Sequence, residues 1–404
     1  MYGGRKRCNV ADDGTINAFY GDPGYTEDGS NGQVMVYQPK FYYQRIPIKM
    51  DETHIGKIVR KESLLISEEM QAGFKLHPLF INEAGEEVDY VLLSAYEGCI
   101  YDVSANSYIL NDAAGIDFNA DKLSSIANAK PVSGQNNSFT IENAEKVAKN
   151  RGTGWHITNM EVDSANQILE MIEYGSLNMQ AMIAPGVVNI PSEGTGINMA
   201  SNTGSTASLG NGTGRAASTI NKSNGKTKTY TDADKCAVSY RGMENLWGNI
   251  WNFIGGLNVY GDEHLQGGML YICNNYNYNY ETIDNNYGAV GFTLPAHGGY
   301  ISAMGYGADK YDWVYSPAEC ADTANSALPV GDSLWVVENL NQINYAIGGG
   351  TTRSQDTAGA FYYGYDCSIN SSPSASTNAR LMFKPTKNAI YTANIEKWTA
   401  SMGG

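Results

Sequence analysis

Between Tyr345 and Phe383 the chain reads YAIGGGTTRSQDTAGAFYYGYDCSINSSPSASTNARLMF. The interior holds Tyr, Ser, Thr, Asn and Asp with almost no aliphatic side chains. Such a stretch cannot bury enough apolar surface to order itself. Its ends can: Tyr345-Ala346-Ile347 leads into three glycines, and Ala379-Arg380-Leu381-Met382-Phe383 closes the span. The rest of the chain must therefore supply a scaffold that holds two anchored strands and a polar, tyrosine-rich surface between them. Tyr offers rigid amphipathic contact area, and Ser, Gly and Asn offer adaptable hydrogen bonding, the vocabulary of binding loops.

The chain is long enough to build that scaffold. It has 404 residues, 42% hydrophobic and 17% charged, with 45 Gly, 28 Tyr and 12 Pro. A net charge of −15 with only 27 basic residues excludes a phosphate-neutralising nucleic-acid surface and disfavours anionic membranes. No apolar run reaches the length of a membrane span, so no membrane insertion is expected. The start, MYGGRKRCNVADDG, has basic residues but no apolar stretch behind them, so it does not read as a signal peptide. Cysteines stand at 8, 99, 236, 273, 320 and 367, none in a C-x-x-C pair, so free thiols are expected and zinc is not. There is no G-x-S-x-G elbow, and His54, His77, His156, His264 and His297 sit in unrelated contexts. No cofactor and no metal is expected.

In chain order, residues 1–30 are rich in turn signals and are read as an attachment or linker segment. Strands are predicted from Gln33 to Ile48, and a strand pair over 74–100 with a turn at Glu83-Ala84-Gly85-Glu86. Residues 101–140 are read as mainly loop, and Ile141–Asn150 as a short helix. Thr158–Ile183 carries apolar residues at helical spacing behind a Thr158-x-x-Glu161 capping box, with Gly175 ending or interrupting it. About 192–230, low in apolar residues, is predicted to be a flexible insertion. Its Gly225-Lys226-Thr227 lacks the glycine spacing of a phosphate-binding loop. Leu246, Trp247, Ile250, Trp251 and Phe253 carry too much apolar area for water, and Asn245, Gly248 and Asn249 between them predict tight turns. The Asn/Tyr alternation in 271–288 suits an exposed strand or ligand-facing loop. Trp313 and Trp335-Val336-Val337 are read as core, and 384–404 as a tail.

Three pieces then carry a resemblance: the strand Val34–Tyr43, the segment from Gly154-Trp155 through the helix to Gln180, and Glu244-Asn245-Leu246-Trp247-Gly248-Asn249-Ile250-Trp251. In this order they resemble the C-type-lectin-like fold of the formylglycine-generating-enzyme type, whose N-(V/L)-W-E-W region is similar to the last. Gly348-Gly349-Gly350 … Ala379-Arg380-Leu381 resembles that family's closing R-G-G-S … G-F-R region. The expected fold is α+β, one C-type-lectin-like domain over 31–383 with long loop insertions and a variable ligand-binding region at about 345–383. The family's oxidases need a reactive cysteine pair, whereas Cys367 stands alone, 47 residues after Cys320. The closing segment instead resembles the variable region of retroelement-diversified proteins such as phage major tropism determinants.

That resemblance implies a non-catalytic receptor-binding protein at a phage tail-fibre tip. It would be virion-borne, act outside the cell, be homotrimeric and attached to the rest of the fibre, and recognise a host surface protein or glycan. The implied contact residues are Thr351, Arg353, Ser354, Asp356, Tyr362, Tyr363, Tyr365, Asp366, Asn370 and Ser372. The alternatives are a fixed-specificity carbohydrate-binding lectin, an oxidase of the formylglycine-generating type, and a diversified protein displayed on a bacterial surface. Composition bears on diversification. Randomising the adenines of an Asn codon never yields Glu, Lys, Met, Gln or Trp. These make up 69 of 404 residues, so about five are expected among the 28 of Thr351–Asn378, where Gln355 alone occurs. Cys367 then reads as sampled rather than placed.

Overall fold

The computed structural model describes residues 2–112, 115–191, 199–221, 227–261, 267–336 and 341–386. Strands dominate it, with three α-helices. A six-stranded sheet, antiparallel at every step, runs in the order Trp155–Ile157, Leu381–Phe383, Tyr90–Ser94, Gln33–Pro39, Lys6–Val10, Ile16–Phe19. Successive residues of its middle strands are buried, so both faces are covered. The strands Lys6–Val10 and Ile16–Phe19 correct the linker expectation for residues 1–30. Cys8 and Val10 are core residues, and Arg7 is buried with its guanidinium on the Gly242 carbonyl, the Tyr96 hydroxyl and Thr206. Few apolar residues suffice because side-chain hydrogen bonds seat the segment.

A twelve-stranded sheet carries the site. At its centre Trp251–Tyr260, Ile343–Gly348 and Tyr363–Cys367 are neighbours, with Ser333–Trp335 parallel to the last. The hairpin Tyr42–Thr53/Gly56–Ser67 lies toward one edge. Of the pair predicted over 74–100 only Tyr90–Ser94 is a full strand, and it pairs with Gln33–Pro39 and Leu381–Phe383. Residues 78–80 turn instead, since Pro78 cannot donate to a ladder. Within 101–140, Ser107–Ile109 and Lys122–Ser124 flank Cys99–Asp102 as short strands.

The first helix, α1, is Ile141–Lys149, capped by the Thr140 hydroxyl. The second, α2, is Met160–Tyr174, and its cap is Asn159 rather than Thr158. Thr158 is still in extended pairing: its N–H donates to Arg380 O and its carbonyl accepts from Gly255 N. Asn159 is therefore the first residue free to cap, and its Oδ1 accepts from the N–H groups of Glu161 and Val162. Gly175, at φ +62°, ends α2, and the short α3, Met179–Met182, restarts beyond it.

The described part of 192–230 is folded, correcting the flexible insertion. Ser218–Asn221 pairs with Thr227–Tyr230, and Ile220 and Tyr230 pack with Val187, Ile190 and Ala237. The buried Glu244 carboxylate accepts from Gly204 N and from Thr206 N and Oγ1. Gly225 and Lys226 lie outside the described residues, as do His264, Val337 and 387–404 of the predicted tail. Lys384, assigned to that tail, is buried with its ammonium on Glu161 and the Ile81 carbonyl. In 271–288 the asparagines Asn274, Asn275 and Asn277 face water while Tyr276, Tyr280 and Tyr287 turn inward.

Arg380 fastens the closing segment. Its buried guanidinium donates to the carbonyls of Glu244, Asn245, Ser94 and Ala95. Two residues earlier Asn378 bonds both ways with Gly98 and donates to Val132 O. Removing one charged donor group strips buried carbonyls of a donor and leaves the neighbouring carboxylates uncompensated. Arg380→Met is expected to lower stability by on the order of 3 kcal/mol in urea unfolding, while a change under 1 kcal/mol would contradict the clamp.

Candidate ligand-binding face

The strand Ile343–Gly348 enters the site between two neighbours and then must turn sharply. Gly349 and Gly350 make the turn, both at φ +91°. A Cβ on Gly350 would lie 2.8 Å from the Tyr362 ring and 2.9 Å from Ser354 Oγ, so the close approach as well as the backbone angle requires glycine. The following loop braces itself: Thr351 N–H donates to Ser354 Oγ, and Thr357 Oγ1 to the Ser354 carbonyl. Gln355, at φ +53°, donates its N–H to Val188 O.

The tryptophan segment underlies this loop, as the apolar cluster predicts. Asn245 and Asn249 take left-handed backbone angles, and their Oδ1 atoms accept from Val238 N and Ser201 N. Trp247 is buried, with its indole N–H on the Ala184 carbonyl. Trp251 faces outward enough to stack on Tyr362, ring centroids 4.6 Å apart and tilted 35°. Tyr362 Oη in turn accepts from Trp335 Nε1 at 2.5 Å.

Above this aromatic wall lies an open cavity of about 710 Å³, within the range of small-molecule and side-chain pockets. It is lined by Trp251, Trp335, Tyr300 and Tyr362 together with Thr351, Arg353, Ser354, Gln355, Asp356, Thr357, Asp366, Cys367, Ser374 and Ser376. Six of the ten predicted contact residues thus meet here: Thr351, Arg353, Ser354, Asp356, Tyr362 and Asp366. Asn370 and Ser372 are exposed on the loop before Thr377 but do not line the cavity.

Tyr363 and Tyr365 do not belong to the face. They are 1% and 0% exposed, and their rings are stacked 5.8 Å apart. Tyr363 Oη donates to Asp163 Oδ2 and accepts from Gln167 Nε2, while Tyr365 Oη meets Ser316 Oγ. The reason is strand parity. Side chains alternate along Tyr363–Cys367, so Gly364 and Asp366 face the cavity while Tyr363 and Tyr365 point into the core. That alternation was available in the sequence. Trp335, expected in the core, is instead 57% exposed at the cavity wall. Only the pairing of Ser333–Trp335 with Tyr363–Gly364 places it there, and no local pattern announces that pairing.

Burial, and next the Asp366 charge, push the Cys367 thiol up to about 12; burial does the same to Cys320. Neither is a ready thiolate. Among the described residues no group of three or more His, Cys, Asp or Glu side chains could hold a metal ion, and no helix is long and apolar enough to cross a membrane.

Behind the face, beneath Tyr363 and Gly348–Gly349, an internal cavity of about 40 Å³ is walled by Asp163, Gln167, Glu170, Asn252 and Arg380. Burial pushes the Asp163 carboxyl up to about 7 and that of Glu170 up to about 8. Both Glu170 oxygens, Gln167 Oε1, Asn252 Oδ1 and Arg380 Nε lack hydrogen-bond partners among the described residues. The space suits two or three waters, each making several bonds to such groups.

No protein-family model and no curated protein matches this chain. Among solved structures, one of "Major Tropism Determinant U1 Variant" is similar over 94% of this chain and 72% of its own length, at 13% identity and a TM-score of 0.29. A superposition that loose establishes neither fold nor function.

The raised Glu170 carboxyl makes a pH prediction. Its neutral form is favoured on folding, so its contribution is present below the unfolded value near pH 4 and is lost as pH rises to about 8. Arg5 opposes this loss, and Asp332, Glu173 and Asp163 add to it. Glu170→Gln escapes it. The melting temperature of the variant is expected to gain on the parent between pH 4 and pH 8 and to run parallel above. A constant difference across that range would contradict the assignment.

Proposed function

We propose that this chain is a non-catalytic receptor-binding protein, carried at the tip of a phage tail fibre, whose cavity face engages a host surface protein or glycan. The observation that carries the reading is the cavity itself. The polar span between the Gly349-Gly350 turn and the Arg380 clamp supplies most of its lining, while its aromatic floor comes largely from the scaffold. Exposed side chains are thus displayed on a fixed frame and can change without disturbing the core.

The residue types support a diversified face. Every lining residue between Thr351 and Thr377 except Gln355 is reachable from an Asn codon randomised at its adenines. Gln355 is tied by its backbone to Val188. Trp251 and Trp335, which that chemistry cannot produce, lie outside the span. The resemblance in the Trp247–Trp251 region and the closing segment supports a C-type-lectin-like arrangement and a homotrimer. In a multivalent fibre, linked copies raise avidity by roughly 10²–10⁴ without new contacts, so each site can tolerate change. Oxidase chemistry is disfavoured by the raised Cys367 and Cys320 thiols.

Replacing Arg353, Asp356 and Asp366 together by Ala removes exposed side chains and no core atoms. Adsorption to host cells is expected to fall by roughly 30-fold or more per site, in line with loss of interface anchors, with the melting temperature unchanged. Full adsorption by the folded variant would overturn the reading.

A further inference from the structure

We propose that the receptor group seated in the cavity is cationic: the ammonium or guanidinium group of a basic protein segment, held between the face of Trp335 and the carboxylates of Asp356 and Asp366. This rests on the receptor-binding reading and specifies its partner.

The wall offers π faces. Trp335 is more than half exposed, yet its indole N–H is committed to Tyr362 Oη. The N–H edge is therefore fixed, and more than half of the residue stays exposed at the cavity wall. Tyr362 is backed in turn by Trp251. Aromatic faces attract ammonium and guanidinium groups through the ring quadrupole, most strongly when carboxylates complete the cage.

The polar lining is rich in acceptors. Asp356 lies in the turn Gln355–Thr357 and Asp366 in the strand Tyr363–Cys367, so two separate segments bring carboxylates to one cavity. Both are exposed, and among the described residues neither forms an ion pair. Ionised carboxylates only accept. Arg353 is the one charged donor in the described lining, and it also borders a second cavity with Met199 and Asn249. The Ser and Thr hydroxyls of the lining both donate and accept and would serve a sugar equally; what singles out a cation is the pair of exposed carboxylates beside the aromatic wall. Phosphate, sialate and other anions would meet two carboxylates and the field of a chain with net charge −15. A basic segment is drawn by the same field and satisfies both carboxylates.

The test titrates the full chain with tetra-arginine and tetralysine, with tetraglutamate and a neutral methyl glycoside as controls. Trp335 is read from the fluorescence difference between the parent and Trp335→Leu. The cationic peptides are expected to give a saturable change that weakens with salt. The affinity should fall about tenfold or more in Asp356→Asn/Asp366→Asn, a substitution pair that keeps shape and removes charge. Saturation by the glycoside without saturation by the peptides would overturn the proposal. So would peptide binding that survives the double substitution, since net charge alone would then explain it. Adsorption to host cells is followed in parallel. If the parent adsorbs and neither salt nor the double substitution matters, the cationic partner is wrong and the receptor reading stands. If the parent binds the peptides through Asp356 and Asp366 but adsorbs to no host, the cation site stands and the receptor reading falls.

Discussion

One buried guanidinium holds the architecture together. Arg380 reaches carbonyl oxygens at the end of Tyr90–Ser94 and in the segment that begins the tryptophan cluster, each where the strand ladder stops. Burial disfavours its charge, and Glu97, Glu244 and Asp163 oppose that cost. A buried cation is tolerable only when so surrounded. The consequence is geometric. Three distant stretches of chain meet at fixed relative positions, and the polar span that ends at Arg380 inherits that fixity.

At its other end the span is held by sterics rather than charge. Gly349 and Gly350 turn at left-handed backbone angles, and at Gly350 an added Cβ would press on Tyr362 and Ser354. Between these two restraints Tyr363 and Tyr365 are sunk into the core, while Asp356 and Asp366 project to water. The face therefore divides labour along a single strand. Tyr363 and Tyr365 secure the strand, while Asp366 and, past a register shift in the pairing, Cys367 line the cavity. The polar interior behind Tyr363, with Asp163 and Gln167 gripping its hydroxyl, adds directional bonds where apolar packing alone would permit slippage.

Much of this was legible in the sequence. Periodic apolar residues located the helix that follows Thr158, and the Trp247–Trp251 cluster with its Asn and Gly neighbours announced a tightly turned floor. The bracketed polar span was visible as a surface needing a frame. What failed had physical causes. Thr158 matched a capping box, but non-local pairing to Arg380 and Gly255 kept it extended. Residues 1–30 and 199–221 looked too polar to pack, yet Arg7 and Glu244 seat them through hydrogen bonds to backbone and side chains. Composition groups Tyr363 and Tyr365 with the surface, whereas their place in the strand turns them into the core. Trp335 depends on a parallel pairing that no local signal carries.

The proposed receptor contact lies on one face, framed by the glycine turn and Arg380. Hydrogen–deuterium exchange of the whole protein, free and bound to cells that adsorb it, measures this directly. The account predicts new protection confined to residues 351–357, 364–367 and 333–335, with the backbone around Arg380 already protected in both states. Protection elsewhere, for instance along the hairpin Tyr42–Thr53/Gly56–Ser67, with none on this face, would contradict it.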